Sequence, residues 1–166
     1  TRCVTLSEST YDAASVAAVA VSAHEIGHVV QREEGYLFYR LRAFLVPVTN
    51  IGTMLAFPLV IVGVLLTWLS ALAEVGNIVV FLGICLYALS TVFTLITLPV
   101  ELNASSRAKS MLAETGVLVT SEEKKAAAKV LSAAAMTYFA ALLTSLLLFL
   151  RFLLYVFLLL GGRRKN

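Results

Sequence analysis

At 166 residues the chain has room for about one domain. Hydrophobic residues make up 60% and charged residues 14%, against roughly 45–50% and about 25% in soluble globular domains, so most of this chain needs an apolar solvent. The net charge of +3 is small and the basic residues form no long stripe, which excludes nucleic acid as a partner. Cys3 and Cys85 have neither metal nor redox spacing and are read as small apolar fillers.

The chain opens at Thr1 rather than at a methionine, and a piece of a longer protein is expected, with sequence missing upstream. Residues 1–50 divide into a strand and a helix. "CVTLS", Cys3–Ser7, alternates and is β-branched, so it predicts a short strand. Ser9, with Asp12 three residues on, predicts a helix start, and the helix is expected from about Tyr11 to Glu33, where Gly35 stops it.

Three uncharged runs then follow, each long enough to cross a bilayer as a helix of about 20 residues. They are Ile51–Ala73, Ile78–Val100 and Val130–Leu150, the last continuing past Arg151 to Leu160. The first two are separated only by "EVGN", Glu74 to Asn77, which predicts a tight transmembrane hairpin over 51–100 with both outer ends on one side. Between the second and third runs lies a polar segment, 101–129. In it Thr115-Gly116 reads as a helix end, and Thr120 with Glu123 as a capping box. Arg151 reads as a boundary marker at the membrane edge, and 161–166 as a basic tail. The fold expected is a mainly α, polytopic membrane protein with three transmembrane helices, built as a single domain over 1–166.

Both histidines of the chain fall in "HEIGHVVQ", as His24 and His28 around Glu25. Positions four apart share one face of a helix, so two imidazoles can meet one ion. The intervening carboxylate flanks that position and can accept a proton from an activated water, as the H-E-x-x-H pattern requires. Random placement of two histidines and a Glu would produce it on the order of one time in a thousand. A catalytic zinc site usually takes a third protein ligand. No third histidine exists, and Glu33 and Asp12 are poorly placed on the same helix. Glu101, in "TLPVELNASSRA", is the best candidate, because the hairpin returns it to the side that carries His24 and His28; the plain alternative is an interfacial Glu in a helix's first turn.

The stretches "VTLSEST", "SAHEIGHVVQ", "LRAFLVPVTNIG", "TLPVELNASSRA" and "VLSAAAMTYFAALL" together resemble the YugP-type neutral zinc metallopeptidases, membrane proteins of bacteria. The likeness runs over essentially the whole chain, and family members carry further N-terminal sequence with another membrane helix. It implies a zinc-binding, zincin-like active-site helix at the membrane, with His24, His28 and Glu101 as zinc ligands and Glu25 as catalytic base. A more distant likeness is to membrane peptidases whose second motif is a Glu followed four residues later by Asp. Here Ser105 stands at that place, so the outer-shell role falls to Asn103 or Ser105, with helix capping and small-residue packing as the equal alternative.

The function expected is a membrane-bound zinc endopeptidase acting on a polypeptide, with membrane or membrane-proximal proteins as substrates and the bilayer as its surroundings. Arg107, Tyr36 and Tyr39 are open for the role of oxyanion donor. The loop between the first two runs has no Lys or Arg, whereas Arg32, Arg40, Arg42, Arg107, Lys109, Lys124, Lys125 and Lys129 lie on the other side, which predicts a cytoplasmic active site in a multi-pass protein of the cell membrane. The rivals are a zinc-stabilised scaffold or transporter, which has no use for Glu25, and an intramembrane site-2-type protease, which needs a distant Asp where the chain has only Asp12.

Overall fold

The computed structural model describes residues 4–161, and among these the chain is helical and contains no strand. The helices are α1 (Glu8–Tyr11), α2 (Val16–Glu33), α3 (Leu37–Trp68), α4 (Ala73–Thr115) and α5 (Ser121–Gly161). The last three are long and apolar enough to cross a membrane, whereas α2 is not among them. The expected strand is corrected here. Cys3 lies outside the described residues, and residues 4–7 run as irregular chain into α1. Alternation alone does not make a strand, since its backbone groups need a neighbouring strand to pair with.

The helix that carries His24 and His28 also starts later than expected. Ser15 is its N-cap, with its hydroxyl accepting the Ala18 N–H at 3.2 Å, and Ser9 lies inside the separate single turn α1. Of two serines able to cap, the chain uses the one next to the apolar run. The expected end holds. Gly35 takes φ +67°, and its N–H and that of Tyr36 donate to the carbonyls of Arg32 and Gln31, which satisfies the last turn of α2.

Charge-free runs mark the apolar helices but not their ends. α3 begins at Leu37 and passes through Pro47, Thr49 and Asn50, and the Thr49 hydroxyl donates back to the Leu45 carbonyl at 2.7 Å. The hairpin connection is Leu69 followed by one 3-10 turn, Ser70–Leu72, so "EVGN" is the first turn of α4 and not the loop. Glu74 suits that position, where an acidic side chain meets the positive end of the helix. Just past the connection the backbones of α3 and α4 lie in contact. A methyl group on Gly76 would stand 2.6 Å from the Thr67 nitrogen and 2.7 Å from the Gly63 carbonyl oxygen. The capping box at the head of α5 is present, with Glu123 accepting from Val119 and Thr120 and the Thr120 hydroxyl accepting from Glu123.

The described chain packs as two compact units. One comprises residues 4–41 and 96–140, and its core is Ala20, Ala23, Ala108, Leu112, Leu118, Ala127 and Leu131. The other comprises 42–95 and 141–161, and its core is Val60, Val64, Val80, Phe152 and Val156, with Tyr87 stacked on Phe152. Arg151 lies within the second unit and ten residues before the end of α5, not at a helix end.

Candidate metal centre

The first unit brings His24 and His28 of α2 against Glu101 of α4. The two helices can meet because the facing residues are small. Ala20, Ala23 and Gly27 on α2 and Ala104 and Ala108 on α4 are all buried. At the crossing, a methyl group on Gly27 would come within 2.7 Å of the Ala104 carbonyl oxygen. Backbone therefore lies on backbone, and the histidines on the flank of this contact reach the carboxylate one turn earlier on α4.

The Nε2 atoms of His24 and His28 stand 3.1 and 3.4 Å from Glu101 Oε2, and the three candidate ligand atoms all lie within 4.8 Å of one another. Two ligands bonded at about 2.0–2.1 Å to one tetrahedral zinc would be about 3.3 Å apart, so the spacing fits such an ion. The rings meet edge to face, with centroids 4.8 Å apart and planes at 83°. Glu101 is 1% exposed, while the histidine side chains are 14% and 17% exposed. The carboxylate thus forms the floor and the imidazoles the open side.

Gln31 decides the protonation of His28. Its Nε2 donates to the Val100 carbonyl oxygen at 2.8 Å and to Asn103 Oδ1 at 2.9 Å. Both amide hydrogens are then used, so Oε1 is an acceptor, and His28 Nδ1–H donates to it at 2.9 Å. In the neutral ring Nε2 then presents its lone pair to the Glu101 carboxylate. Two acceptors at that distance repel unless a proton or a metal cation lies between them. Burial alone would push the His28 imidazole down, but hydrogen bonds to Glu101 and Gln31 and the charges of Glu101 and Glu25 outweigh it and hold the group above its ordinary value. His24 is held less strictly. Its Nδ1 is 3.2 Å from Ser105 Oγ, and a hydroxyl serves either tautomer because it both donates and accepts.

A chain of polar contacts runs outward from the histidines. Asn103 Oδ1 accepts from Gln31 and, at 2.8 Å, from Arg107 Nε, and Arg107 Nη2 donates to Glu34 Oε2 at 2.6 Å. Both outer-shell candidates therefore touch the site, Ser105 directly and Asn103 through Gln31. Glu25 is half-buried, and among the described residues it makes no side-chain hydrogen bond or ion pair. Of the residues open for the oxyanion, Arg107 is committed to Asn103 and Glu34, whereas the Tyr39 ring lies 6.2 Å from that of His28. Asp12 and Glu33 are not in the cluster.

Gln31 and Gly27 were not foreseen from the sequence. Each carried a signal. Gln31 is a polar side chain three residues after His28, within reach on the same helix face, and a Gly inside a helix asks for a packing reason.

Residues 1–157 match the family described as "Putative neutral zinc metallopeptidase". Over 121 residues the chain is 44% identical to "Putative membrane protease YugP" of Bacillus subtilis (strain 168), an overlap of 73% of this chain and 50% of that protein. The chain thus spans about half the length of this curated relative. No solved structure matches it significantly.

Proposed function

The chain belongs to the neutral zinc metallopeptidase family, and from that premise we propose that it is a membrane-bound, zinc-dependent endopeptidase whose metal is held by His24, His28 and Glu101. The observation that carries this reading is the pair of imidazole Nε2 atoms at 3.1 and 3.4 Å from one buried carboxylate oxygen. Gln31 keeps the His28 lone pair turned to that point.

A bound zinc ion supplies Lewis-acid polarisation of the scissile carbonyl and brings the pKa of a water toward about 7. The protein's own groups do the rest. Glu25 accepts the proton of the attacking water as its oxygen bonds to the carbonyl carbon. It then delivers that proton to the amide nitrogen as the C–N bond breaks, leaving a carboxylic acid and an amine, and the acid's proton passes to the amine to give carboxylate and ammonium. Glu25 has no competing side-chain partner among the described residues, so it is free to swing between the two positions. Ser105 and Gln31 hold the rings, an orienting role that ligating histidines regularly require.

The substrate is a polypeptide, and membrane or membrane-proximal proteins fit a site whose Glu101 is borne on α4, a helix long and apolar enough to cross a membrane. The α3–α4 connection carries no Lys or Arg, while Arg32, Arg40, Arg42, Arg107, Lys109, Lys124, Lys125 and Lys129 lie in the polar segments 1–50 and 101–129 that also carry His24, His28 and Glu101, which supports a cytoplasmic active site. The test is cleavage of an unfolded protein such as casein by the purified chain in lipid. Wild type cleaves, loses activity to a chelator and regains it with zinc. Glu25→Gln keeps the metal and loses cleavage. Undiminished cleavage by Glu25→Gln would overturn the reading.

A further inference from the structure

The second unit carries a charge at an unusual depth. Arg151 is exposed, and the adjacent Phe152 packs against Phe57 of α3, ring centroids 6.4 Å apart. Phe57 is eleven residues before the end of α3 at Trp68 and fifteen after Arg42, the nearest charged residue before it on that helix. At 1.5 Å per residue these are about 16 Å and about 22 Å, so Arg151 sits near the middle of the apolar layer, further from either edge than its side chain extends. Its partner among the described residues is Tyr155, one turn on, whose hydroxyl accepts from Arg151 Nε at 2.8 Å and whose ring lies 5.3 Å from the guanidinium carbon. Neither contact neutralises the charge. The only carboxylate of this unit is Glu74, in the first turn of α4 beside the hairpin connection.

Tyr155 also lines an apolar groove of about 480 Å³ between α3 and α5, with Phe57, Val64, Trp68, Phe152 and Leu159 among its walls. A cation in lipid is costly and calls for a partner at its own depth. A second copy of this unit brings only Glu74, at the wrong level, and a lipid phosphate lies at the membrane surface. We propose that this groove docks a transmembrane helix of a partner protein, and that a carboxylate near the middle of that helix pairs with Arg151. The inference is independent of the hydrolytic reading, since none of these residues belongs to the metal centre.

The test uses the 166-residue chain in phosphatidylcholine vesicles and synthetic apolar helices that span the bilayer, contain no Trp and carry a dansyl group. One peptide has Glu at its centre, one Leu and one Lys. Trp68 is the only tryptophan of the chain and a wall of the groove, so energy transfer from it reports docking. The Glu peptide should bind roughly tenfold tighter than the Leu peptide. Arg151→Leu should abolish that preference, and Arg151→Glu should transfer it to the Lys peptide, with helicity unchanged in both. Arg151→Lys keeps the charge and should keep the preference. Equal binding of the Glu and Leu peptides to wild type would overturn the proposal. So would a preference that survives Arg151→Leu, a Trp68 signal that follows only added phosphatidylglycerol, an Arg151-dependent self-association without peptide, or loss of peptide binding in a protein extended upstream of Thr1.

Discussion

Gly27 of α2 lies so close to Ala104 of α4 that a side-chain carbon there would come within 2.7 Å of the backbone oxygen. This contact sets the distance between the two helices, and with it the distance from the imidazoles to Glu101. Neither partner can rotate away, because one is backbone and the other has no side chain. Gly27→Ala should therefore force the helices apart, lowering stability by about 1–3 kcal/mol and reducing bound metal. Thermal unfolding in detergent and metal analysis of the same sample check both. A variant with full metal occupancy and unchanged unfolding would show that the crossing does not set the site.

Gln31 is fully buried and uses its whole amide, one hydrogen to Val100, one to Asn103 and its oxygen to His28. Gln31→Leu leaves the His28 Nδ1–H without its acceptor and the ring without its fixed tautomer. Loss of such an orienting partner should weaken metal affinity by about 10–100-fold while the ligand set stays the same. A chelator-competition titration measures it, and an unchanged affinity would reduce Gln31 to a packing residue.

In the proposed mechanism Glu25 acts apart from the three ligands. Glu25→Gln keeps the size of the side chain and removes its ability to take a proton. Cleavage should fall by at least about 10²–10⁴-fold with zinc content unaltered, measured on an unfolded protein substrate. Loss of zinc together with activity would instead make Glu25 a ligand or a structural residue.

Glu34 holds the outer end of the polar chain. The hydrogen bond from Arg107 keeps its carboxyl below the usual range, against a smaller opposing effect of burial. A depressed folded pKa means that the contribution is present above the unfolded value of about 4.3 and disappears as pH falls through the folded value. The melting-temperature difference between wild type and Glu34→Gln should therefore be visible near neutral pH and vanish in strong acid. Added salt should shrink it as well, because the pair is exposed. A difference that grows in acid would reverse the sign and contradict the assignment.

Much of this arrangement is written locally. His24 and His28 share a helix face by spacing alone, the three apolar helices follow from uncharged runs, and Thr120 and Glu123 announce the start of α5. Glu101 was within reach because a hairpin returns the chain to the side it left. What could not be read depends on how elements meet. Gln31 and Gly27 acquire their roles only where α2 crosses α4. The alternation at 3–7 promised a strand, but residues 4–7 run as irregular chain and the described residues contain no strand. Glu74 looked like a loop residue until Gly63 and Gly76 closed the hairpin beyond it. The uncharged stretch around Arg151 is longer than a bilayer is thick, at 30 residues from 130 to 160 apart from that arginine, so hydropathy alone could not give the depth that Phe57 and Phe152 supply.

The central claim is that His24, His28 and Glu101 hold one metal ion, and metal analysis of the purified chain tests it most directly. One zinc per chain is expected in wild type, with the ion lost or bound far more weakly in Glu101→Ala although the protein remains helical. Zinc bound to Glu101→Ala as tightly as to wild type, or a wild-type chain that binds none when zinc is supplied, would contradict it.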